Sequence, residues 1–110
     1  MIDETLDYAT AWNGKGVALR YQGKYEDAIK CFDEAIRLDP KLADTWYNEG
    51  NALANQGKYD EAVKCFDEVV KLNANDAMAW SNKGYALKLL GKTSEANAAF
   101  TKAKELGYTV

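Results

Sequence analysis

The stretch ADTWYNEGNALANQGKYDEAVKCFDEVVKLNAND, residues 43–76, decides the fold, because similar copies lie before and after it in the chain. Trp12, Trp46 and Trp80 stand 34 residues apart. A fixed period of this length is typical of a solenoid, in which each unit packs only against its neighbours. The sequence therefore predicts a repeat array of three copies.

Each copy contains two stretches with helical spacing, which we call helix A and helix B. Trp46, Gly50 and Leu53 fall at i, i+4 and i+7, which is one stripe of helix A, and a broader stripe begins at Ala62 on helix B. Gly57 follows the first stripe, at a position where a left-handed C-cap favours glycine. Because the turn is short, the two helices must be antiparallel. The same landmarks recur in the other copies as Gly16 and Gly84, Leu19 and Leu87, Gly23 and Gly91, Ala28 and Ala96, and Phe32 and Phe100.

Charged residues on helix B are spaced one turn apart. Asp33 with Arg37, and Asp67 with Lys71, lie at i,i+4, a spacing that stabilises a helix by about 0.3 kcal/mol per pair. We therefore expect these carboxylates on a solvated face, whereas general acid–base catalysis needs them in a desolvated cleft. The sequence predicts no enzyme activity and no cofactor.

The order of residues along each copy is similar to that of the tetratricopeptide repeat (TPR) family. That family carries Trp, Gly and a large apolar residue on helix A, then Ala, an aromatic residue and Ala on helix B. The first copy supplies Trp12, Gly16, Leu19, Ala28, Phe32 and Ala35. The chain departs from the family pattern where Lys15, Glu49 and Lys83 replace the usual Leu before the helix A glycine, and where only Pro40 keeps the terminal proline.

The resemblance implies an all-α fold, namely an α-solenoid of three helix–turn–helix TPR units in a right-handed superhelix. We expect one structural domain, with units over residues 9–42, 43–76 and 77–110. Residues 1–8 are expected to be a lead-in, either disordered or a short turn near Trp12. In the last unit Asn97 and Lys104 replace apolar residues of the inner units. We therefore expect the third unit to cap the array by itself, and the chain to be a monomer with at most weak self-association.

Composition and charge argue against several classes of partner. A net charge of −3 and an isoelectric point near 4.9 disfavour nucleic acid. No apolar run is long enough to cross a bilayer and the N-terminus lacks a signal peptide, so we expect no membrane partner and a cytoplasmic location. Cys31 and Cys65 occupy equivalent positions of neighbouring units, too far apart for a disulfide. With no histidine in the chain, the sequence predicts no metal site.

A second stripe on helix A carries the candidate binding residues, and in the TPR family this stripe lines the concave groove. An Asn side chain both donates and accepts hydrogen bonds, so it can hold the backbone of an extended peptide. Aromatic and Met side chains favour binding surfaces. The alternative is that Asn is merely tolerated on a solvated helix. The predicted peptide-binding residues are Asn13, Val17, Arg20, Tyr47, Asn48, Asn51, Asn55, Met78, Asn82, Tyr85 and Lys88.

These observations predict a protein–protein interaction module, an adaptor or scaffold that binds an extended peptide segment of a partner protein. The alternative is a self-association or assembly module that uses the edges of the stack. One branch of the TPR family holds the C-terminal carboxylates of chaperones in a cationic clamp of five residues. Asn48 matches that clamp, but Asn13, Val17, Met78 and Asn82 do not. We therefore do not expect a chaperone terminus as the ligand.

Overall fold

The computed structural model describes residues 4–108, which form three helical hairpins stacked in chain order. Each helix A is followed by its antiparallel helix B, and each B packs against the next A. The all-α solenoid prediction is therefore confirmed. The helices are α1 (Glu4–Tyr21), α2 (Tyr25–Leu38), α3 (Ala43–Asn55), α4 (Tyr59–Leu72), α5 (Ala77–Leu89) and α6 (Thr93–Glu105).

The start of α1 differs from the expectation for residues 1–8. Residues 4–8 are helical and extend helix A by more than one turn ahead of Ala9. Glu4 and Asp7 lie in this first turn, where negative charge is favoured by the helix dipole. The expectation of a disordered or turn-like lead-in is therefore wrong for residues 4–8, and residues 1–3 lie outside the described part of the chain.

The turn between the two helices of each hairpin depends on a glycine. Gly23, Gly57 and Gly91 have φ values of 79°, 78° and 81°, in the left-handed region that side chains with a Cβ rarely adopt. At the first turn the Lys24 N–H donates to the Leu19 carbonyl at 2.9 Å, which is the long bond of a Schellman motif. The glycine therefore ends helix A and reverses the chain within a few residues.

A phenylalanine of helix B crosses the backbone of helix A in every hairpin. A Cβ built on Gly50 would lie 2.7 Å from Phe66 Cε1, and one on Gly16 would lie 2.5 Å from Phe32 Cε1. No real Cβ contact is that short, so only glycine lets the ring pack there. Phe32 and Phe66 are fully buried at these crossings, which explains a glycine inside helix A despite its poor helix propensity.

The tryptophans join consecutive hairpins. Trp46 Nε1 donates to the Pro40 carbonyl at 2.8 Å, and Trp80 Nε1 donates to the Ala74 carbonyl at 2.9 Å. Each bond ties helix A to the loop that enters it from the preceding hairpin. The tryptophan ring therefore packs as part of the stack and also fixes the angle at which the chain enters the next unit.

The two cysteines are free and buried on helix B, as small apolar residues are. Burial raises the pKa of the Cys65 thiol to about 12, and the negative charge of Glu49 adds to this shift. A thiol that stays protonated is a poor nucleophile and a poor metal ligand. Cys65 therefore has a packing role.

The third hairpin ends the array with polar side chains at two positions and with an uncovered pocket beside Phe100. Asn97 and Lys104 are exposed, whereas their counterparts Val63 and Val70 are partly buried, Val63 against α5. Phe100, however, is only partly buried and lines an open pocket of about 540 Å³. In the first two hairpins the following helix A covers this position. Self-capping by the third unit therefore stays a prediction.

Candidate functional site

The eleven predicted binding residues lie on α1, α3 and α5, and we call the surface they form the helix A face. Asn48 Nδ2 on α3 donates to Asn13 Oδ1 on α1 at 3.0 Å. Asn82 Nδ2 on α5 donates to the Tyr47 hydroxyl at 3.0 Å and to Asn51 Oδ1 at 3.1 Å. The three helices are therefore linked by a ladder of side-chain amides.

A fourth bond extends the ladder towards the C-terminal end of α1. Arg20 Nε donates to Asn55 Oδ1 at 3.0 Å. Three of the four ladder bonds join residues that are 35 apart in the chain, which is one residue more than the repeat period. The structure thus pairs each helix A with its neighbour through polar side chains, a role that the sequence analysis did not foresee.

The ladder changes what the asparagines offer to a ligand. One amide hydrogen of Asn48 and one or both of Asn82 are engaged within the protein. The carbonyl oxygens of both side chains make no bond in the part of the chain that the structure describes. An Asn oxygen accepts two hydrogen bonds, so both residues remain able to receive a peptide N–H. The ladder therefore fixes the direction of these acceptors.

The exposed apolar side chains of the helix A face concentrate on α5. Met78 is 54% exposed and Tyr85 is 44% exposed, and Leu89, which was not among the predicted binding residues, is 62% exposed. By contrast, Val17 is partly buried against the core cluster around Phe32. Among the predicted residues, the exposed apolar side chains therefore lie at the C-terminal end of the stack, although Tyr21 on α1, outside that set, is 80% exposed.

A small pocket of about 140 Å³ lies between α3 and α5 on this surface. Its lining includes the predicted residues Asn51, Asn82 and Tyr85 together with Leu89 and Tyr59. Tyr59 begins α4, a helix B, whereas all the predicted binding residues lie on helix A. Its signal was an aromatic residue directly after the turn glycine and lysine, at a position that Tyr25 also occupies.

The charges on the helix A face are few. Arg20 donates to Asn55, and Lys88 on α5 is exposed. Together they do not form a clamp, since one lies on α1 and the other on α5. The surface is therefore mainly amide and aromatic in chemistry.

Family models match the chain over most of its length. A TPR repeat model matches residues 16–57, and tetratricopeptide repeat models match residues 43–76 and 77–106. The chain belongs to the tetratricopeptide repeat family. Comparison with curated protein sequences found no significant match. Proteins of this fold are typically non-catalytic interaction modules.

Solved TPR structures are similar to the chain over nearly all of its length. The second TPR of Spaghetti (RPAP3), bound to the HSP90 peptide SRMEEVD, superposes with a TM-score of 0.89 at 29% identity, covering 94% of this chain and 95% of that one. The first TPR of the same protein, bound to the same peptide, gives 0.90 at 28% identity, with coverage of 93% and 81%. The crystal structure of MamA gives 0.88 at 26% identity, and the match covers 93% of this chain but only 59% of MamA.

Among residues 4–108, no helix has the length and apolar character that crossing a membrane requires. Cytoplasmic location stays a prediction.

Proposed function

We propose that this TPR protein is a non-enzymatic interaction module that binds an extended segment of a partner protein along the helix A face. The observation that carries the proposal is the amide ladder, which holds the Asn48 and Asn82 acceptors in fixed positions beside the exposed Met78 and Tyr85. Preorganised acceptors lower the entropy lost when a ligand backbone is held. The peptide-bound Spaghetti structures support this assignment, since they share the fold.

The ligand we propose differs in chemistry from the acidic peptide in those structures. Residues 4–108 place only Arg20 and Lys88 as cations on the helix A face, and Arg20 is already bonded to Asn55. A peptide rich in carboxylates would meet few counter-charges there, in a protein of net charge −3. We infer a ligand with neutral polar backbone contacts and an apolar side chain directed at the pocket beside Tyr85 and Leu89.

A peptide array followed by calorimetry tests this function. Tyr85→Ala removes an exposed side chain from the site and is expected to weaken binding of the selected peptide by about tenfold, a loss typical of one aromatic contact. Asn97→Ala, on exposed helix B, is the matched control and should leave binding unchanged. Equal affinity for the wild type and Tyr85→Ala would contradict a ligand on this surface.

The asparagines require a separate arm, because their substitution also breaks the ladder. Asn48→Ala with Asn82→Ala should weaken peptide binding, but it also removes bonds to Asn13, Tyr47 and Asn51. Binding must therefore be compared at a temperature where circular dichroism shows that both proteins are fully folded. Unchanged affinity under that condition would remove the asparagines from the site.

Self-association is the second candidate function, and both ends of the stack favour it. Ala11 and Ala18 on α1 are exposed, whereas their counterparts on α5, Ala79 and Ala86, are buried between hairpins. At the other end the pocket beside Phe100 lacks a covering helix in the described chain. Light scattering should show a monomer at modest concentration if the peptide-binding function is correct. A mass that rises with concentration, and falls again in Ala18→Glu, would favour assembly.

A further inference from the structure

Two of the three helices A carry their own ammonium group beside the repeat tryptophan. Lys15 Nζ lies 5.3 Å from the ring centroid of Trp12, and Lys83 Nζ lies 5.2 Å from that of Trp80. Lys83 also pairs with Asp67 Oδ1 of the preceding helix B at 2.6 Å. A cation over an indole face is attracted to it, so Lys83 is held by a ring on one side and a carboxylate on the other.

The middle helix A has an acid at this position. Glu49 occupies the place of Lys83, Asp33 that of Asp67, and Trp46 that of Trp80. Glu49 is only 7% exposed. Burial raises its pKa to about 9, and a hydrogen bond to Asp33 and the charges of Asp33 and Glu61 add to the shift. Two carboxyl groups thus face each other where the next interface holds an ion pair.

These residues line an open pocket of about 550 Å³ between α2, α3 and α4, which we call the Glu49 pocket. Its apolar wall includes Trp46, Ile29 and Leu53. It shares no residue with the helix A face. The charged residues around it are Glu26, Lys30 and Asp33 from α2, Glu49 from α3, Glu61 and Lys64 from α4, and Lys58 from the turn before α4.

The lysines around the pocket do not take the place beside Trp46 that Lys83 takes beside Trp80. Lys30, Lys58 and Lys64 are exposed, and within residues 4–108 none of them is paired with a carboxylate. None of them lies over the Trp46 ring, in contrast to Lys15 and Lys83 at their own tryptophans. The first interface, between α2 and α3, therefore has the ring and the carboxyl groups of an ammonium site, together with open space leading to them.

We propose that the Glu49 pocket receives a lysine side chain of a partner protein, with its ammonium over Trp46 and between Asp33 and Glu49. The partner's lysine then supplies the positive charge that Lys83 supplies beside Trp80 in the next hairpin. The four carbons of a lysine stem pack on the Ile29 and Leu53 wall. Glu49 releases its proton to solvent as the ammonium binds, and the ammonium then donates to both carboxylates. This contact is separate from the helix A face and does not depend on the peptide-binding function.

The probe for the test is N-acetyl-lysine methylamide, with N-acetyl-norleucine methylamide as its uncharged match. Proton–nitrogen NMR follows the three indole N–H signals, so that Trp12 and Trp80 serve as internal controls. The lysine probe should shift the Trp46 signal in a saturable way, with a dissociation constant near the millimolar range expected of a single side chain. The norleucine probe should leave it unchanged. Equal shifts with both probes, or no saturable shift up to the solubility of the lysine probe, would overturn the proposal.

Variants at residue 49 give an independent readout. Glu49→Lys places an ammonium in the pocket from within, as Lys83 does, so the melting temperature should rise and the affinity for the lysine probe should fall at least tenfold. Glu49→Leu removes the carboxyl without adding a cation, and it should also abolish the probe's effect on Trp46. Full binding by a folded Glu49→Lys would show that the ammonium does not occupy this site. A fall in melting temperature in Lys30→Gln or Lys64→Gln would show that the chain fills it with its own lysine, which also contradicts the proposal.

Discussion

Replacing Glu49 with Gln is expected to stabilise the protein at neutral pH. Burial moves the pKa of Glu49 from 4.5 to about 9 in the folded chain, and each unit of difference is worth about 1.4 kcal/mol. At pH 7 the gap between the ordinary pKa and the pH sets an upper limit of about 3 kcal/mol of lost stability. Water entering through the open pocket reduces this figure, so we expect a gain of about 1 to 3 kcal/mol.

The sign follows from the proton balance. The unfolded chain releases the Glu49 proton near its ordinary pKa of 4.5, whereas the folded chain keeps it until the pH approaches 9. Unfolding therefore releases a proton throughout this window. The stability present at acid pH is lost as the pH rises, by at most about 1.4 kcal/mol per unit. Gln keeps a neutral side chain, and its amide donates to Asp33, so the variant should lose little stability over the same range.

Thermal unfolding followed by far-UV circular dichroism between about pH 5 and pH 9 measures the effect. For a chain of this length, 1 kcal/mol corresponds to about 4 °C in melting temperature, so Glu49→Gln should melt about 4 to 12 °C higher at neutral pH. Glu105→Gln, an exposed carboxylate on α6, is the matched control and should change stability by less than about 0.5 kcal/mol. Melting curves of Glu49→Gln that run parallel to those of the wild type across the pH range would refute the reasoning.

Other predictions concern glycine, the amide ladder and the buried thiol. Gly50→Ala drives a Cβ into Phe66 and should lower the unfolding free energy by about 1 to 3 kcal/mol in denaturant titration, whereas Gly14→Ala, with nothing within 4 Å of the new Cβ, should raise it by up to about 1 kcal/mol. An unstable Gly14→Ala would show that this site is not open. Asn82→Ala breaks two ladder bonds and should lower the unfolding free energy by about 1 to 2 kcal/mol, so a neutral effect would mean that water replaces the ladder. The Cys65 thiol should react with a disulfide reagent only after denaturation, and rapid reaction in the native protein would contradict its burial.

The fold was largely readable from the sequence because its determinants are local and repeat. A positive φ at Gly57 and a ring crossing at Gly50 each require glycine, so the two residues mark the turn and the contact between helices. The start of α1 was not readable, because the residues one period later, 38–42, lie at the end of α2 and in the loop after it, so the repeat gave no sign of a helix at residues 4–8. The period predicts the structural features that all units share. It gives no information about a feature that only one unit has.

The ion pairs show the limit of reasoning along a single helix. Arg37 was expected to pair with Asp33, but it pairs with Glu34 one residue nearer, at i,i+3. Asp67 was expected to pair with Lys71, but its partner is Lys83 on the next helix A. Spacing identifies the neighbours of a residue on its own helix. It cannot reveal a cation from the following unit that competes for the same carboxylate.

The candidate site was predictable as a surface but not as a network. Helical spacing placed Asn13, Asn48 and Asn82 on helix A, but their hydrogen bonds join different helices at a separation of about one period. A ladder of this kind depends on the distance between stacked helices, which no single repeat encodes. Searching for polar pairs 35 residues apart would have found Asn13 with Asn48 and Tyr47 with Asn82.

The interfaces of the stack are therefore not equivalent, although the repeats that form them are. The second interface holds Lys83 against Asp67, and the first holds Glu49 against Asp33. In a solenoid the stability of the whole is close to a sum over neighbouring interfaces, so a defect in one is not shared by the others. A Lys at residue 49 would make the first interface like the second, at the position where the TPR pattern otherwise expects Leu. The acid at residue 49 lowers the folding stability of the chain. A cation bound from a partner removes that destabilisation, so the relief adds to the free energy of binding.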